Sequence, residues 1–151
     1  MSATLLRSAT AAAPTTSSPS AATRHRPSHP TVVAGRIITG LVALFLTFDA
    51  GIKLVRAKAA VEGSAPLGFT PDQVFVIGVI GAVCLVLYLI PRVAPLGALL
   101  WTGYFGGAIV THFRVDNPLL THTLFPIFVA ALVWGGLYLR DPRIRAVLGK
   151  R

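Results

Sequence analysis

Long apolar runs alternate with short polar breaks along most of the chain. Four runs, at about residues 34–56, 72–90, 95–112 and 119–139, each approach the roughly 20 residues needed to cross the hydrocarbon of a bilayer. The breaks are helix punctuation. Thr70-Pro71-Asp72-Gln73 reads as an N-cap, a proline at the first helical position and a capping-box glutamine. Pro91 ends that helix, and Pro95 opens the next after a short turn holding Arg92, which predicts a hairpin of the second and third runs. Asn117-Pro118 opens the fourth run, and Arg140-Asp141-Pro142 stops it. Lipid cannot satisfy free backbone amides and carbonyls, and no β-barrel pattern is visible. The pattern therefore predicts an all-α membrane protein: a four-transmembrane-helix antiparallel bundle over residues 34–148, ending in a basic stretch at 149–151.

Composition agrees. Mean hydropathy is +0.70 and 13% of residues are charged, against about 25% in an ordinary soluble domain. Residues 1–33 are rich in Ser, Thr, Ala and Pro, hold Arg7, Arg24 and Arg26, and lack any acidic residue. A disordered cytoplasmic tail is the expectation there. An organellar transit peptide has a similar composition, whereas Leu5-Leu6 is too short for the core of a secretory signal.

The formal charge of +9 does not point to nucleic acid, because the basic residues sit in the tails and loops and no basic helix carries interleaved aromatics. They orient the bundle instead. One side collects ten Lys and Arg, including Arg36, Arg92, Arg140, Arg143 and Arg145, and the other has Lys53, Arg56, Lys58 and Arg114. That asymmetry predicts both termini in the cytoplasm and the turn within residues 101–126 outside.

Candidate chemistry gathers near that outer turn. Asp49 and Lys53 are four apart on one face of the first helix, in the favourable order for an ion pair, and ionisable groups at such depth suggest function. The plainer reading is an anchor in which Lys53 snorkels to the interface and neutralises Asp49. His112 closes the third helix, and His122 lies about one turn, roughly 6 Å, inside the fourth. Tyr104 is about 12 Å below His112 and Asp49 about 10 Å below the end of its helix, so they share a depth. Asp49, Lys53, Tyr104, His112, Arg114 and His122 are thus predicted to form an outward-opening polar pocket if their helix faces converge.

Gly103 and Gly107 lie four apart and form a small-residue groove, where close packing of a second backbone is expected. Pro126 cannot donate to the carbonyl of His122, which predicts a kink in the fourth helix. Two histidines without a third ligand at matching spacing do not predict a metal or haem site. Cys84 is the single cysteine, within an apolar run, and reads as a small filler. Tyr88, Tyr138, Trp101 and Trp134 read as interfacial or packing aromatics.

Several stretches together resemble the DoxX-like family: 48–54 (FDAGIKL), 84–92 (CLVLYLIPR), 100–114 (LWTGYFGGAIVTHFR), 122–126 (HTLFP) and 134–141 (WGGLYLRD). The likeness runs over residues 34–148 in order. It implies a small four-helix protein of the bacterial inner membrane. The wider family takes its name from a membrane subunit of a thiosulfate:quinone oxidoreductase, and some relatives are membrane partners in oxidative-stress complexes. Many relatives carry a glutamate in the middle of helix two, where this chain has Gly81. Proton or quinone chemistry resting on that carboxylate is not expected here.

Three functions stay open. The first is an accessory or quinone-facing subunit of a membrane redox complex, non-catalytic on its own, whose outer cluster receives a quinone head group or docks a soluble partner. The second is a small-solute permease or channel built as a homo-oligomer, with Asp49 and Lys53 lining the path. The third is a structural membrane protein. Quinone is the one cofactor in view, and the lipid bilayer is the common partner of all three.

Overall fold

The computed structural model describes residues 29–148. Residues 1–28 of the expected tail and the basic stretch 149–151 lie outside the described residues. The described chain forms helices only: α1 (His29–Leu54), α2 (Lys58–Ser64), a 3-10 turn (Ala65–Leu67), α3 (Pro71–Leu89), α4 (Ala94–Arg114), a π-turn (Leu119–Thr123), α5 (Phe125–Arg140) and α6 (Pro142–Leu148).

The punctuation acts largely as its chemistry requires. The Gln73 amide donates to Thr70 Oγ1 at 3.3 Å, and the Thr70 amide donates to Gln73 Oε1 at 2.8 Å, which closes the capping box of α3. Helices α1 and α4 end alike, on left-handed residues, Arg56 (φ 49°) and Asp116 (φ 53°). The next amides then reach back five residues, Ala57 to the Ile52 carbonyl at 2.8 Å and Asn117 to the His112 carbonyl at 3.2 Å.

Three departures matter for the site. Helix α1 begins at His29 rather than at residue 34, taking in the end of the expected tail. Residues 58–67, between the first two predicted runs, form α2 and the 3-10 turn, which the pattern of runs does not predict. The fourth run does not kink at Pro126 but breaks before it: the π-turn ends at Thr123, and Pro126 falls in the first turn of α5, where its missing N–H costs nothing.

Each of α1 and α4 packs against both α3 and α5, so the four long helices enclose one core. Trp101, Tyr88, Leu46, Leu137 and Val133 are fully buried within it, and the Tyr88 hydroxyl donates to the Val133 carbonyl at 2.9 Å. Cys84 is buried there as the expected filler. The outside is apolar as well. Ile37, Leu41, Leu44 and Phe48, spaced along one face of α1, are 58 to 70% exposed, a stripe that water would not tolerate and lipid does.

By length and composition three helices can cross a membrane: Pro30–Leu54, Pro71–Leu89 and Leu120–Arg140, the last joining the π-turn to α5. Helix α4 has 21 residues, but its four glycines and polar side chains dilute its hydropathy.

Close backbone contact occurs elsewhere than at Gly103 and Gly107. A Cβ at Gly97 would run into the Tyr88 backbone, and one at Gly78 would lie 2.8 Å from Lys53 Cβ. At the α1–α5 crossing, Gly35 meets the Arg140 backbone and Gly136 meets Thr39. A Cβ at Gly103 or Gly107 would meet nothing within 4 Å, so the close packing expected at that pair is not made within this chain. The α4 glycine that fits against its neighbour is Gly97, beside the tight α3–α4 turn.

Candidate functional site: a polar trio in an aromatic cavity

Asp49 and Lys53 occupy the last turns of α1, and their helical spacing brings the ammonium onto the Asp49 carboxylate. Lys53 Nζ also donates to the Tyr104 hydroxyl oxygen at 3.3 Å. Tyr104 is held edge-on by its own helix, with ring centroids 4.9 Å from Trp101 and 5.9 Å from Phe105. Trp101 stacks on Phe105 at 5.1 Å. The polar trio is therefore fixed by the ion pair on one side and an aromatic cluster on the other. Its two opposite charges cancel, while the Tyr104 hydroxyl hydrogen is left to point toward a further acceptor.

This trio forms one wall of a cavity of about 530 Å³, within the range of small-molecule sites. The remaining lining is mostly apolar and aromatic, including Phe45, Phe69, Phe105 and Phe125. The unexpected segment 58–67 covers it: Ala59, Ala60, Gly63, Ser64 and Leu67 face the space. Thr111 and His112 lie at the end of α4 on the same lining.

Of the six residues singled out in the sequence, Asp49, Lys53, Tyr104 and His112 line the cavity, and Arg114 and His122 do not. Arg114 Nη2 donates to the Leu67 carbonyl at 2.9 Å and so ties the end of α4 to the covering segment. His122 lies beside the cavity: its ring centroid is 5.6 Å from that of His112, and its Nδ1 pairs with Thr121 Oγ1 at 2.8 Å. His112 Nδ1 pairs with Asn117 Nδ2 at 2.9 Å, a contact made by the left-handed closure of α4 at Asp116. Among the described residues no three of His, Cys, Asp and Glu come together as a metal would require.

The sequence reading missed the covering segment and the phenylalanines. A signal for the latter existed, since Phe45 stands one turn before Asp49 and Phe105 follows Tyr104. Trp101, read as an interfacial or packing aromatic, belongs to the packing class, for it is wholly buried. Gly81 borders the same region. A Cβ there would lie 3.6 Å from the Trp101 ring and 3.8 Å from Ala50 and Tyr104, so this position looks toward the trio.

Comparison with the curated proteins and with the solved structures finds no match. The DoxX-like family matches over residues 37–136, which takes in α3 and α4 whole, most of α1 and α5, and the whole trio. This chain is a member of the DoxX-like family.

Proposed function

We propose that the chain is a membrane-embedded accessory subunit that presents a site for a quinone head group to a redox partner. It crosses the bilayer four times as an antiparallel bundle, α4 joining the three helices long and apolar enough to do so, with both termini in the cytoplasm. The observation that carries the reading is the cavity of about 530 Å³, apolar over most of its lining and holding Phe45, Phe69, Phe105 and Phe125, with the Asp49–Lys53–Tyr104 trio on one wall. A flat neutral ring suits such a lining. Its carbonyl oxygen would accept from the Tyr104 hydroxyl, which already receives a bond from Lys53 and keeps its own hydrogen for donation. Because Asp49 neutralises Lys53, the wall offers hydrogen bonds without net charge, which favours a neutral ligand over an oxyanion.

Trp101, Tyr88, Leu137 and Val133 are fully buried in the core and do not line the cavity. A core filled in this way favours binding over conduction through one chain, and this ranks the permease reading second. Equilibrium binding of a short-chain quinone analogue to the purified chain tests the proposal. Saturable binding is expected, with loss in Asp49→Asn/Lys53→Met. Binding that is non-saturable, or the same in that folded double variant, would overturn it.

A further inference from the structure

We propose that the α5–α6 corner binds the phosphate of an anionic lipid headgroup, with Arg145 as its central donor and Arg140 and Arg143 beside it. The first ground is how the charges are divided. The chain has five carboxylates, and Asp49, Glu62, Asp72 and Asp116 lie in the cavity wall or in the segments at that end. All three ion pairs among the described residues, Asp49–Lys53, Arg56–Asp72 and Lys58–Glu62, lie there too.

The opposite end holds Arg36, Arg92, Arg140, Arg143 and Arg145, brought together because the start of α1 meets the end of α5 and Arg140 reaches the end of α3. Its one carboxylate, Asp141, is used locally, accepting the Arg143 backbone N–H at 2.8 Å. None of these arginines has an acidic partner within 4 Å among the described residues.

The second ground is Arg145 itself. Its Nε and Nη2 are buried and find no acceptor among the described residues. A guanidinium stays charged, and buried donors left unpaired on a cation are costly. Two neighbouring N–H groups of one guanidinium match two oxygens of a phosphate. Arg140 adds a rigid flank: its Nη2 donates to the Tyr88 carbonyl at 3.1 Å, and its guanidinium stacks 5.1 Å from the Tyr88 ring.

Position selects a lipid over a free anion. Helix α6 follows α5 after the single residue Asp141, so it sits where an apolar span leaves the hydrocarbon and headgroup phosphates lie. On that helix Ile144 packs against the core, while Val147 is 72% exposed, an apolar side chain in place to enter the interface.

The test uses the full chain in neutral detergent, titrated with dioctanoyl phosphatidylglycerol, with phosphatidylcholine of the same chain length and with inorganic phosphate. Phosphatidylglycerol should bind about tenfold tighter than phosphatidylcholine and far tighter than inorganic phosphate. Arg145→Gln should weaken it about tenfold, and Arg143→Gln, which alters only an exposed side chain, about fivefold. Arg56→Gln, at the other end, should change nothing. Should Arg145→Gln fail to fold, Arg145→Lys and Arg143→Gln carry the test, both weakening phosphatidylglycerol alone. Equal binding of the two lipids, or wild-type affinity in both arginine variants, would overturn the site. Inorganic phosphate matching phosphatidylglycerol would overturn its assignment to a lipid.

Discussion

Lys53 and Tyr104 lie 51 residues apart, on helices α1 and α4 that pack chiefly through α3 and α5, yet Lys53 Nζ reaches the Tyr104 hydroxyl at 3.3 Å. This bond runs across the bundle rather than between neighbouring helices, and it makes one wall of the cavity. Tyr104→Phe keeps the ring and its contacts with Trp101 and Phe105 and removes only the hydroxyl. Affinity for a quinone analogue should fall about tenfold, the worth of one hydrogen bond in a water-poor site, with thermal stability almost unchanged. Unchanged affinity would remove Tyr104 from the site.

Asp49 and Lys53 separate anchor from site. Their side chains keep 28% and 18% exposure, so Lys53→Met, which strands the Asp49 carboxylate, should cost about 2 kcal/mol, less than for a fully buried pair. Adding Asp49→Asn should recover most of that stability, because no unpaired charge is left. Thermal unfolding in detergent gives both values. A double variant less stable than the single would mean that the pair contributes more than mutual neutralisation.

The glycines of α4 should divide sharply. Gly97→Val puts side-chain atoms into the Tyr88 backbone and should cost about 3 kcal/mol. Gly103→Ala meets nothing and should be neutral or slightly stabilising through helix propensity. Thermal melts of the two variants check this, and equal losses would contradict the packing described.

Arg114 holds the cover. Arg114→Gln removes the bond to the Leu67 carbonyl, so amide exchange over residues 58–67 should accelerate by about tenfold while α3 and α5 keep their protection. Hydrogen exchange with peptide-level resolution reads this directly. Unaltered exchange in the segment would show that it is held by its apolar contacts alone.

Much of this was legible in the sequence because lipid imposes length and caps impose boundaries. The Thr70–Gln73 capping box and the Asp49–Lys53 spacing are local chemistry, and both formed as read. The segment 58–67 was not legible: α2 has seven residues, too few for a periodic pattern, and its Lys58–Glu62 pair is exposed. Gly103 and Gly107 meet no neighbour within the chain, because spacing reveals a small-residue face and says nothing of what covers it. Arg114 and His122 share one turn with His112, but which side chains enter a cavity depends on helix rotation, and His122 lies beside the cavity rather than in its lining.

The central claim is that the cavity accepts a lipophilic ring. Gly107 lines it, and a Cβ there meets no other atom, so Gly107→Leu should fill part of the space without disturbing the bundle. The decisive measurement is photolabelling of the full chain in lipid nanodiscs with an azido-quinone, followed by peptide mapping. The account predicts label on residues 104–112 and on the cover at 58–69, displaced by excess unmodified quinone and strongly reduced in Gly107→Leu. Label confined to the outward stripe of α1 around Leu41 and Leu44, or undiminished in Gly107→Leu, would contradict it.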